Sequence, residues 1–259
     1  MNGEDMTGKL TIVGLGPGGP ELTTPAVAVA VRRATDLVGY DTYMKRLPAL
    51  RPDQTVHASD NRYEIDRARH ALSLATAGRD VVVVSGGDPG VFAMAAAVFE
   101  AVETGEPEWR ELAIEVQPGV SAMLAAAAEA GAPLGGDFCA ISLSDNLKSW
   151  GTIEWRLISA AQGDFAIALY NPASTARPDQ LGKAFALLRQ HKSGETVVIF
   201  VRAAGTPEAK LTIKTLAEAD GTEADMRTLV IVGAESTRVI PRVGRAPWVY
   251  TPRSEGAAR

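Results

Sequence analysis

The chain has 259 residues, with 26 Lys and Arg against 31 Asp and Glu for a net charge of -5, and is 46% hydrophobic and 22% charged. That balance describes a globular protein with a sizeable core and argues against a disordered chain or a basic nucleic-acid binder. Apolar runs such as Val81 to Val84 are too short to span a bilayer, the first nine residues hold no signal-peptide core, and the single cysteine, Cys139, excludes an intrachain disulfide, so a cytoplasmic protein is expected.

Thr11, Ile12 and Val13 form a β-branched run that ends at Gly14 and predicts a short buried strand. The loop Gly14-Leu15-Gly16-Pro17-Gly18-Gly19-Pro20 follows, where glycines permit sharp turns and leave main-chain N–H groups open to a ligand. Gly14, Gly16 and Gly19 satisfy a G-x-G-x-x-G fingerprint, yet Thr24 as N-cap and Pro25 start the next helix well beyond the third glycine. That geometry suits a loop bending over a ligand better than a helix dipole aimed at a diphosphate.

A second strand, Asp36 to Tyr40, ends in Gly39-Tyr40-Asp41-Thr42-Tyr43 on the same carboxyl edge, with Lys45, Arg46 and Arg51 as a small basic patch beyond it. Ser59, Asp60 or Asn61 caps a helix that carries Ile65, Ala68, Leu72 and Ala75 and stops at Gly78. Val81 to Val84, without alternation, predicts a central strand covered on both faces, running into Ser85-Gly86-Gly87-Asp88-Pro89-Gly90. There Asp88 either meets a ligand hydroxyl or cation, or caps a helix opening at Pro89. A helix from Phe92 to Val102, a strand from Leu112 to Gln117 and the turn Pro118-Gly119-Val120-Ser121-Ala122 complete this half. Strands alternating with helices imply a mostly parallel sheet with ligands at its carboxyl edge. His57, His70 and His191 have no second ligand at i+3 or i+4, so no metal site is expected.

Gly131 to Gly136 reads as a hinge. Beyond it, strands at Phe138 to Leu143, Phe165 to Tyr170, Thr196 to Arg202, Lys210 to Thr215, Thr228 to Val232 and Trp248 to Thr251 surround two helices, Trp150 to Ala161 and Pro178 to His191. The short interval between Arg202 and Lys210 implies antiparallel pairing. The expected organisation is therefore α/β: a disordered segment 1–8, a mostly parallel domain 9–130, a mixed-sheet domain 131–253 and a tail 254–259.

Gly14-Leu15-Gly16-Pro17-Gly18, Ser85-Gly86-Gly87-Asp88-Pro89, Pro118-Gly119-Val120-Ser121-Ala122, Tyr170-Asn171-Pro172 and Gly205-Thr206, in that order, resemble the tetrapyrrole methylases that use S-adenosylmethionine. Gly39 to Tyr43, Leu169 to Ser174 and Gly233 to Arg238 resemble the branch of that family that methylates C17 of the macrocycle and contracts the ring in cobalamin synthesis. The resemblance implies a homodimer, with the cofactor in a cleft between the two domains of each protomer. It implies cofactor contacts at Pro17, Gly86, Gly87, Asp88, Val91, Ser121, Ala122, Asn171 and Gly205, with Asn171 standing where some sister enzymes have methionine. Asp41 matches a position given an acid/base role in related enzymes, and Tyr40 and Tyr43 are further candidates for ring contraction. Macrocycle carboxylates suit arginine forks, which makes Arg46, Arg51, Arg62, Arg202 and Arg238 candidates, the last two as residues following strands beside family motifs.

Methyl transfer from a sulfonium needs placement and exclusion of water more than an activated side chain, consistent with the lack of a nucleophile triad. Three alternatives stay open at the level of sequence. They are a cobalt-bearing macrocycle as substrate, an NAD-dependent oxidoreductase with Asp41 on the ribose, and a non-catalytic protein that binds S-adenosylmethionine or a tetrapyrrole.

Overall fold

The computed structural model describes residues 8–60 and 63–254. The expected disordered start apart from Gly8, the cap Asn61, the candidate Arg62 and the tail from 255 lie outside the described residues. The chain divides into two compact units, Met1–Ser121 and Ala122–Arg259.

In the first unit the elements run β1 (Lys9–Gly14), α1 (Pro25–Arg33), β2 (Asp36–Tyr40), α2 (Asp41–Met44), β3 (Thr55–Ser59), α3 (Glu64–Thr76), β4 (Asp80–Ser85), α4 (Met94–Thr104) and β5 (Ala113–Gln117). The strands form one parallel sheet in the order β3-β2-β4-β1-β5. Because β4, β1 and β5 are neighbours, the loops leaving their carboxyl ends converge. The valine run of β4 is fully buried: Val81 and Val83 pack with Leu72 and Val98 on one face, Val82 and Val84 with Val27 and Leu37 on the other. Burial of each such side chain is worth roughly 1.5–3 kcal/mol, which fixes β4 as the middle of the unit. Thr24 caps α1 as expected, its hydroxyl accepting from the Val27 amide at 3.3 Å.

The second unit runs α5 (Ala122–Ala130), β6 (Gly131–Ala132), β7 (Phe138–Ser142), α6 (Trp150–Gln162), β8 (Ala166–Tyr170), α7 (Gln180–Leu188), β9 (Val197–Arg202), β10 (Lys210–Thr215), β11 (Thr228–Val232), β12 (Arg238–Ile240) and β13 (Trp248–Tyr250). A five-stranded sheet has the order β10-β9-β11-β8-β7, with β7 and β8 parallel and every other pair antiparallel. It is the mixed sheet that the strand spacing predicts. Its core joins Ile167, Leu169, Phe200 and Val230 to Leu157, Phe185 and Leu188 of α6 and α7.

Four expectations are corrected. The boundary between compact units falls after Ser121 rather than at 130, and the supposed hinge at Gly131 is a strand: β6 pairs with β13, the backbone of Val249 passing so close that a Cβ on Gly131 would lie 2.7 Å from its carbonyl. Strand β3 escapes a reading by composition because Thr55, His57 and Ser59 are polar, and as an edge strand it has little apolar surface to bury. Helix α3 begins at Glu64 with no side-chain cap, since Ser59 is spent in β3. Arg238 opens β12 instead of following a strand.

The carboxylate of Asp36, at the amino end of β2, is 1% exposed. Arg79 Nε donates to it at 2.7 Å, Thr35 Oγ1 at 2.7 Å, and His57 Nε2 lies 2.9 Å away, with His70 Nε2 a further 3.0 Å from His57 Nδ1. The two histidines are thirteen residues apart in sequence and meet only through the β3 and α3 pairing, which i+3 or i+4 spacing cannot reveal. Burial opposes the charge on Asp36, but hydrogen bonds from Arg79, His57 and Thr35 outweigh it and hold the carboxyl below its usual range. Because the folded pKa lies below the unfolded one, this stabilisation is complete above the unfolded value of about 4 and fades as pH falls through the folded value. Asp36→Asn should cost roughly 2–3 kcal/mol in urea unfolding at pH 7, and the difference from wild type should shrink below about pH 4.

Candidate active site

At the carboxyl edge of the first unit three loops meet backbone to backbone. The Leu15 amide donates to the Ser85 carbonyl at 2.9 Å, and Gly16 and Gly87 exchange N–H to carbonyl bonds at 3.1 and 3.0 Å. A Cβ on Gly14 would stand 2.4 Å from the Gly87 carbonyl oxygen, and one on Gly119 would stand 2.3 Å from that oxygen and 2.5 Å from the Gly14 oxygen. Gly16 and Gly87 also hold φ values of +76° and +61°, where a side chain is strained. The motifs around Gly14, Gly87 and Gly119 are therefore one shelf, and its glycines are required by contact as well as by turning.

Asp88 braces that shelf. Its Oδ1 accepts from the Gly90 amide at 2.8 Å and its Oδ2 from the Gly119 amide at 3.1 Å, tying the second loop to the third. Helix α4 begins only at Met94, so Asp88 is not its cap. The Val91 amide returns to the Asp88 carbonyl at 3.3 Å. Arg46 holds the first loop from the other side, its Nη2 donating to the carbonyls of Gly16 at 2.8 Å and Gly18 at 2.9 Å on either side of Pro17. A guanidinium committed to these carbonyls acts as a loop brace, which corrects its placement among the carboxylate-binding candidates. Arg51 is likewise engaged, with Asp53 at 3.0 Å and with the carbonyls of Arg32 and Ala34 at the end of α1.

Tyr43 lies against Gly86, where a Cβ would come within 2.6 Å of its ring, and its ring meets that of Tyr40 edge-on at 5.4 Å between centroids. Burial pushes the Tyr43 phenol up, only partly offset by the Arg46 charge, so Tyr43 keeps its proton and suits the role of a donor. Asp41 is exposed at the first turn of α2. The structure thus brings Tyr40, Tyr43, Gly86, Gly87, Asp88 and the Pro17 loop together in one unit, with Ser121 buried at the end of the third motif.

In the second unit, Asn171 ends β8 with φ +52° and its Nδ2 donates to Ser142 Oγ at 2.9 Å, while the Tyr170 hydroxyl accepts from the Met123 amide at 3.0 Å, next to Ala122. Beyond β9, Ala203 has φ +54° and Gly205 φ +72°, and the Gly205 amide reaches Glu129 Oε1 at 3.4 Å. Arg202 is paired with Asp225 at 2.7 Å, and Arg238 is exposed on β12. Sequence reasoning missed Ala203 and Phe92. Both are left-handed non-glycine residues beside motif loops, and backbone strain of that kind concentrates at functional sites.

Gly119→Ala should cost at least about 2 kcal/mol in chemical denaturation, because backbone rather than a movable side chain occupies the Cβ position. Gly182→Ala in α7, where nothing lies within 4 Å of the new methyl, should instead raise stability by roughly 0.5–1 kcal/mol.

Residues 9–220 match the family of Tetrapyrrole (Corrin/Porphyrin) Methylases. The chain is 56% identical over 248 residues to the Precorrin-3B C(17)-methyltransferase of Sinorhizobium sp, covering 96% of this chain and 97% of the relative. It is 39% identical over 244 residues to the Probable cobalt-factor III C(17)-methyltransferase of Salmonella typhimurium, covering 93% of this chain and 99% of the relative. Among solved structures, the methyltransferase CobJ superposes with a TM-score of 0.89 at 53% identity, over 95% of this chain and all of that one. The Uroporphyrin-III C-methyl transferase of Thermus thermophilus, solved with S-adenosyl homocysteine, shares the fold with a TM-score of 0.65 at 23% identity, over 87% and 97% of the two chains. With its glycine shelf, its mixed second sheet and a match spanning most of its length, the chain belongs to the tetrapyrrole methylases.

Proposed function

We propose that this enzyme transfers a methyl group from S-adenosylmethionine to C17 of precorrin-3B and contracts the ring to precorrin-4, acting as a cytoplasmic homodimer in cobalamin biosynthesis. The observation that carries the reading is the 56% identity, across almost the whole chain, with a protein named for that reaction. The geometry fits a sulfonium cofactor. The shelf offers main-chain N–H and C=O groups from part-exposed Gly86 and Gly87, and Asp88 and Arg46 hold those groups in place. When bound, S-adenosylmethionine supplies an electrophilic methyl whose leaving electron pair stays on sulfur, so the protein has to orient it and keep water out.

In this reading Pro17, Gly86, Gly87, Asp88, Val91, Ser121, Ala122, Asn171 and Gly205 hold the cofactor, and Arg202 and Arg238 receive macrocycle carboxylates. Ring contraction also requires a proton to move around oxygenated carbons of the substrate. Tyr43 is suited to give one, and exposed Asp41 to take one. The dinucleotide reading loses its support, because α1 starts at Pro25 and no helix N-terminus follows Gly19 closely enough to receive a diphosphate. A cobalt-bearing macrocycle is the second reading, favoured by the relative named for cobalt-factor III.

Incubation with trideuteromethyl-labelled cofactor and precorrin-3B should add one labelled methyl to the macrocycle by mass spectrometry. Label on cobalt-factor III alone would select the second reading, and label on neither would overturn both. Asp88→Ala, which frees the Gly90 and Gly119 amides, should weaken S-adenosylhomocysteine binding about tenfold or more in calorimetry.

A further inference from the structure

Arg67 is the one cation of the first unit's core, 4% exposed in the middle of α3. Its Nε donates to Ser59 Oγ at 3.0 Å, one terminal nitrogen to the Asp60 carbonyl at 2.6 Å, and the other reaches only the thioether of Met94 at 3.4 Å. Among the described residues no carboxylate forms an ion pair with it, although buried charges are ordinarily paired. Burial accordingly pulls its pKa down, with Glu64 the nearest compensating influence. A thioether is a weak acceptor, and two of the five guanidinium N–H donors have no strong acceptor at all.

Arg67 also lines a cavity of about 50 Å³, together with Tyr40, Tyr43, Glu64, Ser85 and Met94. That cavity sits at the carboxyl edge of the sheet beside Gly86, through the Tyr43 ring that covers it. It has room for one small polar group, and the Tyr40 and Tyr43 hydroxyls are further donors in its wall. A larger cavity of about 320 Å³ lies at the opposite, amino end of β1 and β5, where its charges are already matched by Lys9 with Glu115 at 2.8 Å and Arg33 with Asp80 at 3.5 Å.

We propose that Arg67 is a specificity-determining residue of the methylase: its buried guanidinium receives one carboxylate arm of the macrocycle in the cavity walled by Tyr40, Tyr43 and Ser85. This deepens the function proposed above and rests on it. The arm gives Arg67 the counter-ion that the protein withholds, and through Tyr43 it registers the ring against the Gly86 loop. An uncharged arm at that position leaves the cation unpaired, so the site selects against esterified or decarboxylated macrocycles. Glu64 shares the cavity, and its like charge disfavours an anionic arm.

The test compares wild type, Arg67→Gln, Arg67→Lys and Glu64→Gln by steady-state kinetics with precorrin-3B, calorimetry with S-adenosylhomocysteine, and thermal melting. Arg67→Gln should raise KM for the macrocycle at least tenfold while S-adenosylhomocysteine affinity stays within about twofold. Arg67→Lys should recover part of that loss, and Glu64→Gln should leave KM unchanged or lower. If the Gln variant does not fold, Arg67→Lys alone decides, because loss of the planar fork should still raise KM severalfold at unchanged cofactor affinity. Unchanged KM in a folded Arg67 variant, or an equal rise in KM with Glu64→Gln, would overturn the inference and make Glu64 the counter-ion. Wild type that binds S-adenosylhomocysteine but turns over no macrocycle would instead overturn the function on which the inference rests.

Discussion

Gly14, Gly87 and Gly119 meet with their backbones in contact, and the positions of three loops on the carboxyl edge follow from that single constraint. No side chain fits among them: the closest carbonyl would lie 2.3 to 2.4 Å from a Cβ at Gly119 or Gly14. The strand order of the first unit makes the contact available, because β4 and β1 are neighbours and β5 lies on the other side of β1. The buried valines of β4 hold that order, and the reciprocal bonds of Gly16 and Gly87 extend the pairing of β1 with β4 past the ends of the strands. A shelf built from main-chain groups presents fixed dipoles without reorganisation, which suits a cofactor that brings its own leaving group.

Side chains then act on the shelf mostly as braces. Asp88 spends both carboxylate oxygens on amides of two loops, and Arg46 spends its guanidinium on carbonyls of a third segment. Arg51 and Arg202 are similarly committed, to Asp53 and Asp225. The basic residues nearest the motifs are thus largely structural, and the cation without a carboxylate partner lies deeper, on α3. Tyr43 links the two layers, touching Gly86 on one side and sharing a cavity with Arg67 on the other.

Much of this was legible in the residues. Thr24-Pro25 fixed the start of α1, an unbroken valine run marked the central strand, and the strand at Asp36–Tyr40 followed from its pattern. The glycine loops pointed to a shared edge because alternating strands and helices imply parallel connections. What the sequence could not carry depends on long-range contact. Strand β3 is polar and gains its identity only from pairing with β2. Gly131 resembles a hinge until β13, more than a hundred residues later, pairs with it. Arg67 reads as an ordinary solvated helix charge, and only the packing of α3 against α4 shows it buried. The role of Arg46 was hidden for the same reason: its partners are carbonyls, which no side-chain pattern reveals.

Hydrogen–deuterium exchange with and without saturating S-adenosylhomocysteine tests the central claim, that the three glycine loops form one cofactor shelf. Segments 14–19, 85–91 and 118–122 should slow together on binding, because their amides are linked through Gly16, Gly87 and Gly119. Slowing in only one of them, or bound cofactor with none of them protected, would contradict a shared shelf and place the cofactor elsewhere on the fold.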